Sequence, residues 1–305
     1  MPTNALRYLA AGLCFAAALS AQENPAPTAP AGLPPTIYSR IRGLFDIDLP
    51  QLDPPGTFKL HFNPHLGDFV RRDYLRITTG FDWALTDSWQ FSADADAYGR
   101  HGLRRGSSGY GIGQLHLGGK YLFQELFRPE LETSVGLNID LPTGRPPLDM
   151  TDGHNHYSPY LVVQHRLVDN PRVTLFANTA LDFLTPSSVP GTFARNEPRD
   201  DSIALTGGAI YDLGQLKWTL QSTYQTTALI AGDPRHFFTV RPSVLWFVPR
   251  EYTFHSKTQW ILGVGVRATW GPDGTEFTTN SRLRAEVTFG QVVKNIRGVL
   301  ENPRP

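Results

Sequence analysis

The sequence predicts an all-β fold, a transmembrane antiparallel up-and-down β-barrel of the outer membrane with about twelve strands. Three observations predict it. Apolar and polar residues alternate with period two over long stretches, the connections alternate between short and long, and aromatic residues gather at strand ends beside the short connections. The chain has 305 residues, with 28 Lys+Arg balanced by 28 Asp+Glu. A neutral chain without a basic block offers no electrostatic footprint for nucleic acid, so no nucleic-acid partner is expected. An aromatic content of 11% argues against wholesale disorder.

The first element reads as an export signal, residues 1–21. Arg7 precedes an apolar run from Tyr8 to Ala21. That run is shorter than the ~20 residues a helix needs to span a bilayer. Ala18, Ser20 and Ala21 supply small residues for cleavage. The single cysteine, Cys14, falls inside this segment, so the mature chain is expected to carry none, which suits an oxidising compartment. Residues 22–55 read as a Pro/Ala-rich periplasmic linker, with Pro25, Pro27, Pro30, Pro34, Pro35, Pro54 and Pro55 keeping the chain extended.

The barrel is expected over residues 56–289, followed by a tail, 290–305. Residues 89–97 set the pattern: Trp89, Phe91, Ala93, Ala95 and Ala97 share one face, and Gln90, Ser92, Asp94 and Asp96 the other. The same alternation recurs at 131–141, 216–226 and 260–270. Strands are expected at 57–62, 74–85, 89–98, 111–123, 130–141, 157–167, 172–184, 202–213, 216–227, 236–248, 258–270 and 276–289. Short turns at 86–88, 124–129, 168–171 and 214–215 alternate with loops at 99–110, 142–156, 185–201 and 228–235. Residues 249–257 are long where a short turn is expected. Trp83, Trp89, Tyr121, Phe123, Tyr211, Trp218, Trp246 and Trp260 lie beside short turns and predict a girdle at one membrane interface. Phe183, Tyr224 and Trp270 start a second girdle. A secreted β-sandwich also alternates, but it predicts neither these girdles nor strands this long.

If the apolar face meets lipid, the other parity lines the lumen. This places Asp94, Asp96, His116, Lys120, Glu132, Asp140, Asp182, Arg241, Arg267, Arg282, Arg284 and Glu286 inside. A Lys or Arg on the lipid face would cost ~2–4 kcal/mol at midplane, which fixes the sign of the assignment. Segregated acidic and basic walls can filter polar solutes, and the same residues can instead pair across the barrel and close it. In the loops, Arg100, His101, Arg104 and Arg105 make a basic patch. Asp149, Asp152, His154 and His156 carry metal-capable side chains at a spacing that matches no established motif, so no metal or cofactor is assigned. The loop Thr185–Asp201 is a candidate cover for the mouth.

The run Gly111-Ile112-Gly113-Gln114-Leu115-His116-Leu117-Gly118-Gly119-Lys120-Tyr121 precedes a strand ending Leu137-Asn138-Ile139-Asp140-Leu141-Pro142-Thr143-Gly144. Together with Ser158-Pro159-Tyr160, it resembles the outer-membrane barrels named after the meta-pathway of phenol degradation, a MetA-like transporter family. The resemblance covers roughly 74–289, with Gln114 where that family carries Asp. It implies a channel or uptake protein for small solutes, aromatic or hydrophobic compounds among them. The implied partners are outer-membrane lipid, the barrel assembly machinery and the solute, with both termini in the periplasm. The last strand, ending Leu283, Ala285, Val287 and Phe289, suits membrane insertion. Rival readings are a closed structural or adhesive barrel and an outer-membrane lipid hydrolase. No Gly-x-Ser-x-Gly elbow and no paired nucleophile and base mark an enzyme, so none is expected.

Overall fold

The computed structural model describes residues 49–67, 72–100, 111–123, 126, 131–193, 196–227, 229, 233–254 and 258–289. The expected export signal, most of the expected linker, the tail 290–305 and the patch residues His101, Arg104 and Arg105 lie outside the described residues. Twelve strands form one sheet: β1 (Phe58–Pro64), β2 (Tyr74–Ala84), β3 (Trp89–Arg100), β4 (Gly111–Phe123), β5 (Leu131–Pro142), β6 (His154–Arg166), β7 (Val173–Pro186), β8 (Ser202–Asp212), β9 (Leu216–Thr227), β10 (His236–Phe247), β11 (Gln259–Gly271) and β12 (Gly274–Phe289). Each pairs antiparallel with its sequence neighbours, and β12 returns to β1 to close the barrel. Closure leaves no sheet edge, so the backbone donors and acceptors find partners without water.

The period-two pattern becomes an inside and an outside. Leu60, Phe91, Leu137, Leu161, Leu220 and Val264 point outward and stay exposed, while His61, Gln90, Gln164, Thr219 and Gln221, on the opposite parity of their strands, are buried. An apolar exterior over a polar interior suits a wall surrounded by lipid. All six tryptophans sit on the outward parity. At the short-turn end Trp89 packs against Tyr121 at 4.9 Å and Phe58 against Phe81 at 5.3 Å. At the long-loop end Phe238 meets Trp270 at 5.7 Å. Two aromatic belts therefore bracket an apolar band.

Three departures from an even ladder have local causes. β4 carries an irregularity, since Ala95 pairs with Leu115 but Ala97 with Ile112. Gly113 lies within it, and a Cβ there would come within 2.0 Å of the Tyr98 ring. The β6–β7 pairing breaks between Tyr157 and Tyr160, and the β10–β11 pairing between Val240 and Ser243. Pro159 and Pro242, which have no N–H to donate, stand at those breaks. β6 also begins at His154, inside the stretch the sequence reading assigns to a loop, and extends the wall by three residues.

Inside, the two ends of the barrel differ. Leu49, Phe176, Ile210, Leu245, Phe247 and Ile261 form one buried apolar cluster at the short-turn end. Leu49 is the stranger there, because it precedes β1. The segment 49–53 enters the interior as a strap. Lys120 Nζ donates to the carbonyls of Leu49 at 2.8 Å and Gln51 at 2.9 Å. The Asp53 carboxylate accepts from Lys59 Nζ at 2.5 Å, and its N–H donates to Gln90 Oε1 at 3.3 Å. The strap thus ties the apolar wall of β7–β11 to the polar wall of β1–β4.

Candidate functional site

The barrel interior is the candidate site, and its two walls have different chemistry. Register places Glu286, His61, Gly80, Asp94, His116, Asp140 and His156 in one row across β12 and β1 to β6. Carboxylates and imidazoles alternate along it. His61 Nε2 meets Asp94 Oδ1 at 2.5 Å, and Nδ1 lies 3.5 Å from Asp82. That contact skips β2 and needs Gly80, where a Cβ would sit 1.9 Å from Asp94 Oδ1. His116 lies 2.6 Å from Asp140 and 3.8 Å from Asp96. His156 stands between Asp182 and Asp152, 2.9 Å from each. Each imidazole therefore lies between two carboxylates, and His156 hydrogen-bonds to both of its own.

A cavity of about 420 Å³ opens along this row. Of the residues the sequence reading places in the lumen, Asp94, Asp96, His116, Asp140, Arg282 and Arg284 line it. His61, His65, Arg76 and Asp82 line it too and were not among the expected residues. His61 was legible, since Phe58, Leu60 and Phe62 alternate with Lys59 and His61 in β1. Arg284 is buried, with its Nε 2.7 Å from Glu286 and Nη2 3.3 Å from Asp82. A second cavity, of about 330 Å³, opens on the β7–β11 wall and is lined by Arg241 and Arg267 with Phe176, Asn178, Ala180, Thr206, Gln221, Thr223, Gln225 and Thr239.

The remaining four expected residues line neither cavity. Lys120 holds the strap. Glu132 accepts from Gln164 Nε2 at 2.7 Å. Asp182 accepts from Ser158 Oγ at 2.8 Å and faces His156. Glu286 pairs with Arg284. The Ser158–Asp182–His156 cluster has the carboxylate in the middle, so no imidazole lone pair is aimed at the hydroxyl. It lacks the nucleophile–base contact that hydroxyl activation requires.

The mouth is partly covered. Ser187 N donates to Gly153 O at 3.1 Å and Thr192 N to Thr151 O at 2.8 Å, joining the β7–β8 loop to the β5–β6 connection. The same loop reaches the β11–β12 turn through Asn196, which donates to Gly274 O at 2.9 Å and accepts from Asp273 N at 3.1 Å. A chain tied to β5–β6 and to β11–β12 must cross part of the opening. Asp152 anchors this arrangement. Burial raises its carboxyl pKa, but hydrogen bonds from His156 and from the His154 N–H outweigh burial and hold it below the usual carboxylate range. Among the described residues no group of three or more His, Cys, Asp or Glu is placed to hold a metal ion, and the Asp149 side chain lies outside the described ones.

The glycine-rich run and the Leu-Pro-Thr-Gly run meet at this end. Gly113 O accepts from Thr143 N at 2.5 Å and from Thr143 Oγ1 at 3.0 Å, and Gly144 approaches the Ile112 carbonyl. Residues 53–283 match the family described as "Putative MetA-pathway of phenol degradation". The COG4313 outer membrane channel from Pseudomonas putida F1 is similar in fold, with a TM-score of 0.51 and 15% identity over 80% of this chain and 100% of that one. The KdgM porin gives a TM-score of 0.46 and 12% identity over 76% of this chain and 99% of that one. No curated protein matches the chain in sequence.

Proposed function

The chain belongs to the MetA-pathway family of phenol degradation, and from that premise we propose that it is an outer-membrane channel for small solutes. The observation that carries this reading is the pair of polar cavities, about 420 and 330 Å³, within a closed, apolar-walled barrel. Both barrel ends, the start of β1 and the end of β12, fall at the short-turn end, which we place in the periplasm. The family resemblance implies aromatic or hydrophobic solutes. The charged and hydroxyl-rich lining favours those that also carry a polar or ionised group, because an apolar solute would leave those groups unpaired. The Pseudomonas putida F1 protein that shares the fold is an outer membrane channel, which agrees with this reading. A closed barrel is the second reading, favoured by the strap at 49–53.

Single-channel recording on the refolded full chain in a planar bilayer decides between them. Discrete, stable conductance steps are expected. A barrel that inserts and migrates heat-modifiably on a gel, yet stays silent, would overturn the channel and leave the closed barrel.

A further inference from the structure

We propose that Arg241 and Arg267 form a binding site for small organic anions that carry a carboxylate group. As a determinant of passage the site rests on the channel reading above; as a binding site it does not. The β10–β11 register runs through Val240↔Ala268 and Ser243↔Gly265, which sets Arg241 opposite Arg267 on the inner face. Two like charges directly opposite each other across a sheet destabilise it unless something neutralises them. Elsewhere in the described barrel, Lys59 pairs with Asp53, Lys217 with Asp212, and Arg284 with Asp82 and Glu286, while Lys120 and Arg76 have neutral acceptors in the strap carbonyls and His65. The cavity holding the arginine pair has no carboxylate among its described lining residues.

What surrounds the pair is neutral and rich in hydrogen-bonding groups. Gln221 lies opposite Arg241 on β9, and Thr206, Thr223 and Thr239 add hydroxyls. Arg241 has interactions of its own within the protein, whereas the buried Nε of Arg267 has no hydrogen-bond partner among the described residues. Thr278, the β12 partner of Arg267, has a buried hydroxyl in the same condition. Buried donors without acceptors are costly, and a ligand with two acceptor oxygens removes that cost. A planar carboxylate matches the guanidinium fork. The wall also leaves room on the β7 side. Gly208 faces Phe176, whose ring would lie 2.4 Å from a Cβ there, so the aromatic side chain lies flat against the wall instead of projecting across the cavity.

The test uses the refolded full chain in detergent, with thermal unfolding followed in potassium succinate and in potassium chloride at equal ionic strength. Succinate is expected to raise the unfolding temperature, and Arg267→Gln to weaken its apparent affinity by about ten-fold or more. Arg267→Lys, which keeps the charge and loses the fork, is expected to fall between; it decides alone if Arg267→Gln does not refold. Equal unfolding temperatures in the two salts, or a variant that responds like the wild type, would overturn the site. The bilayer recording separates this from the channel itself. A silent barrel with an intact succinate response removes only the channel, and a conducting barrel without that response removes only the site.

Discussion

Gly80 shows how one absent side chain organises a wall. Its position between His61 and Asp94 lets the two meet across β2 at 2.5 Å. A Cβ at Gly80 would lie 1.9 Å from Asp94 Oδ1 and 2.3 Å from the Ala93 carbonyl, and the carbonyl belongs to a paired backbone that yields poorly. Gly80→Ala is expected to cost about 1–3 kcal/mol, read as a lower urea midpoint for the barrel in vesicles. Gly207, on the outer face with nothing within 4 Å of its Cβ position, is the control. Gly207→Ala should leave the midpoint within error, and equal losses at the two positions would refute the packing argument. Asp152 gives a second residue-level expectation. Its pKa is depressed in the fold, so its stabilising contribution is complete above the ordinary carboxyl range and is lost as pH falls through the depressed value. Amide protection at Ser187 and Thr192, which hydrogen-bond to Gly153 and Thr151, should hold from pH 7 to about 4 and fall only below that. In Asp152→Asn it should be low at every pH. Loss of protection in the wild type above pH 5 would contradict the role given to Asp152.

At the level of the strand, the faces make a paired prediction on β5. Leu137 points outward and is exposed, while Asn138 lines the larger cavity. Leu137→Arg should block insertion into vesicles, since an arginine at the midplane of the lipid face costs about 2–4 kcal/mol. Asn138→Arg should insert and alter conductance. Equal insertion of both would sink the assignment of faces. The strands were legible because each side-chain parity has one physical environment, and alternation survives without knowledge of the partners. β9 at Leu216–Thr227 falls where the alternation of Trp218, Leu220 and Tyr224 predicts it. What escaped is where polarity and strand coincide on both faces. His154 and His156 resemble loop residues in sequence, yet they lie in β6, whose register with β7 runs on from His156↔Leu184 to His154↔Pro186. The acid–imidazole row was half legible for a related reason. Parity places Asp94, His116 and Asp140 inside, but their adjacency depends on register, and period two alone does not fix register between strands.

For the whole molecule, the decisive feature is that the interior narrows at both ends by different means. The β7–β8 loop leans over the mouth on backbone hydrogen bonds and on Asn196, whereas the strap at 49–53 is held by two wall cations, Lys120 on the Leu49 and Gln51 carbonyls and Lys59 on the Asp53 carboxylate. Lys120 is 2% exposed and donates to two strap carbonyls at once. Methionine has similar length and no donor. Lys120→Met therefore leaves two carbonyls without their ammonium, at a cost of about 1–3 kcal/mol each if they stay buried. Moving the strap into water avoids that cost but exposes Leu49, which now packs with Phe176 and Ile210. Two stranded carbonyls together cost about 2–6 kcal/mol against about 1.5–3 kcal/mol for one exposed leucine, so the Leu49–Gln51 end is expected to loosen while Lys59 still holds Asp53. The expected result is larger unitary conductance for Lys120→Met than for the wild type, with faster proteolytic cleavage near Leu49 from the short-turn side. A wild type that is silent and a Lys120→Met variant that conducts would identify the strap as the closure itself. Identical conductance and identical cleavage in the two proteins would instead mean that the apolar cluster holds the strap without Lys120.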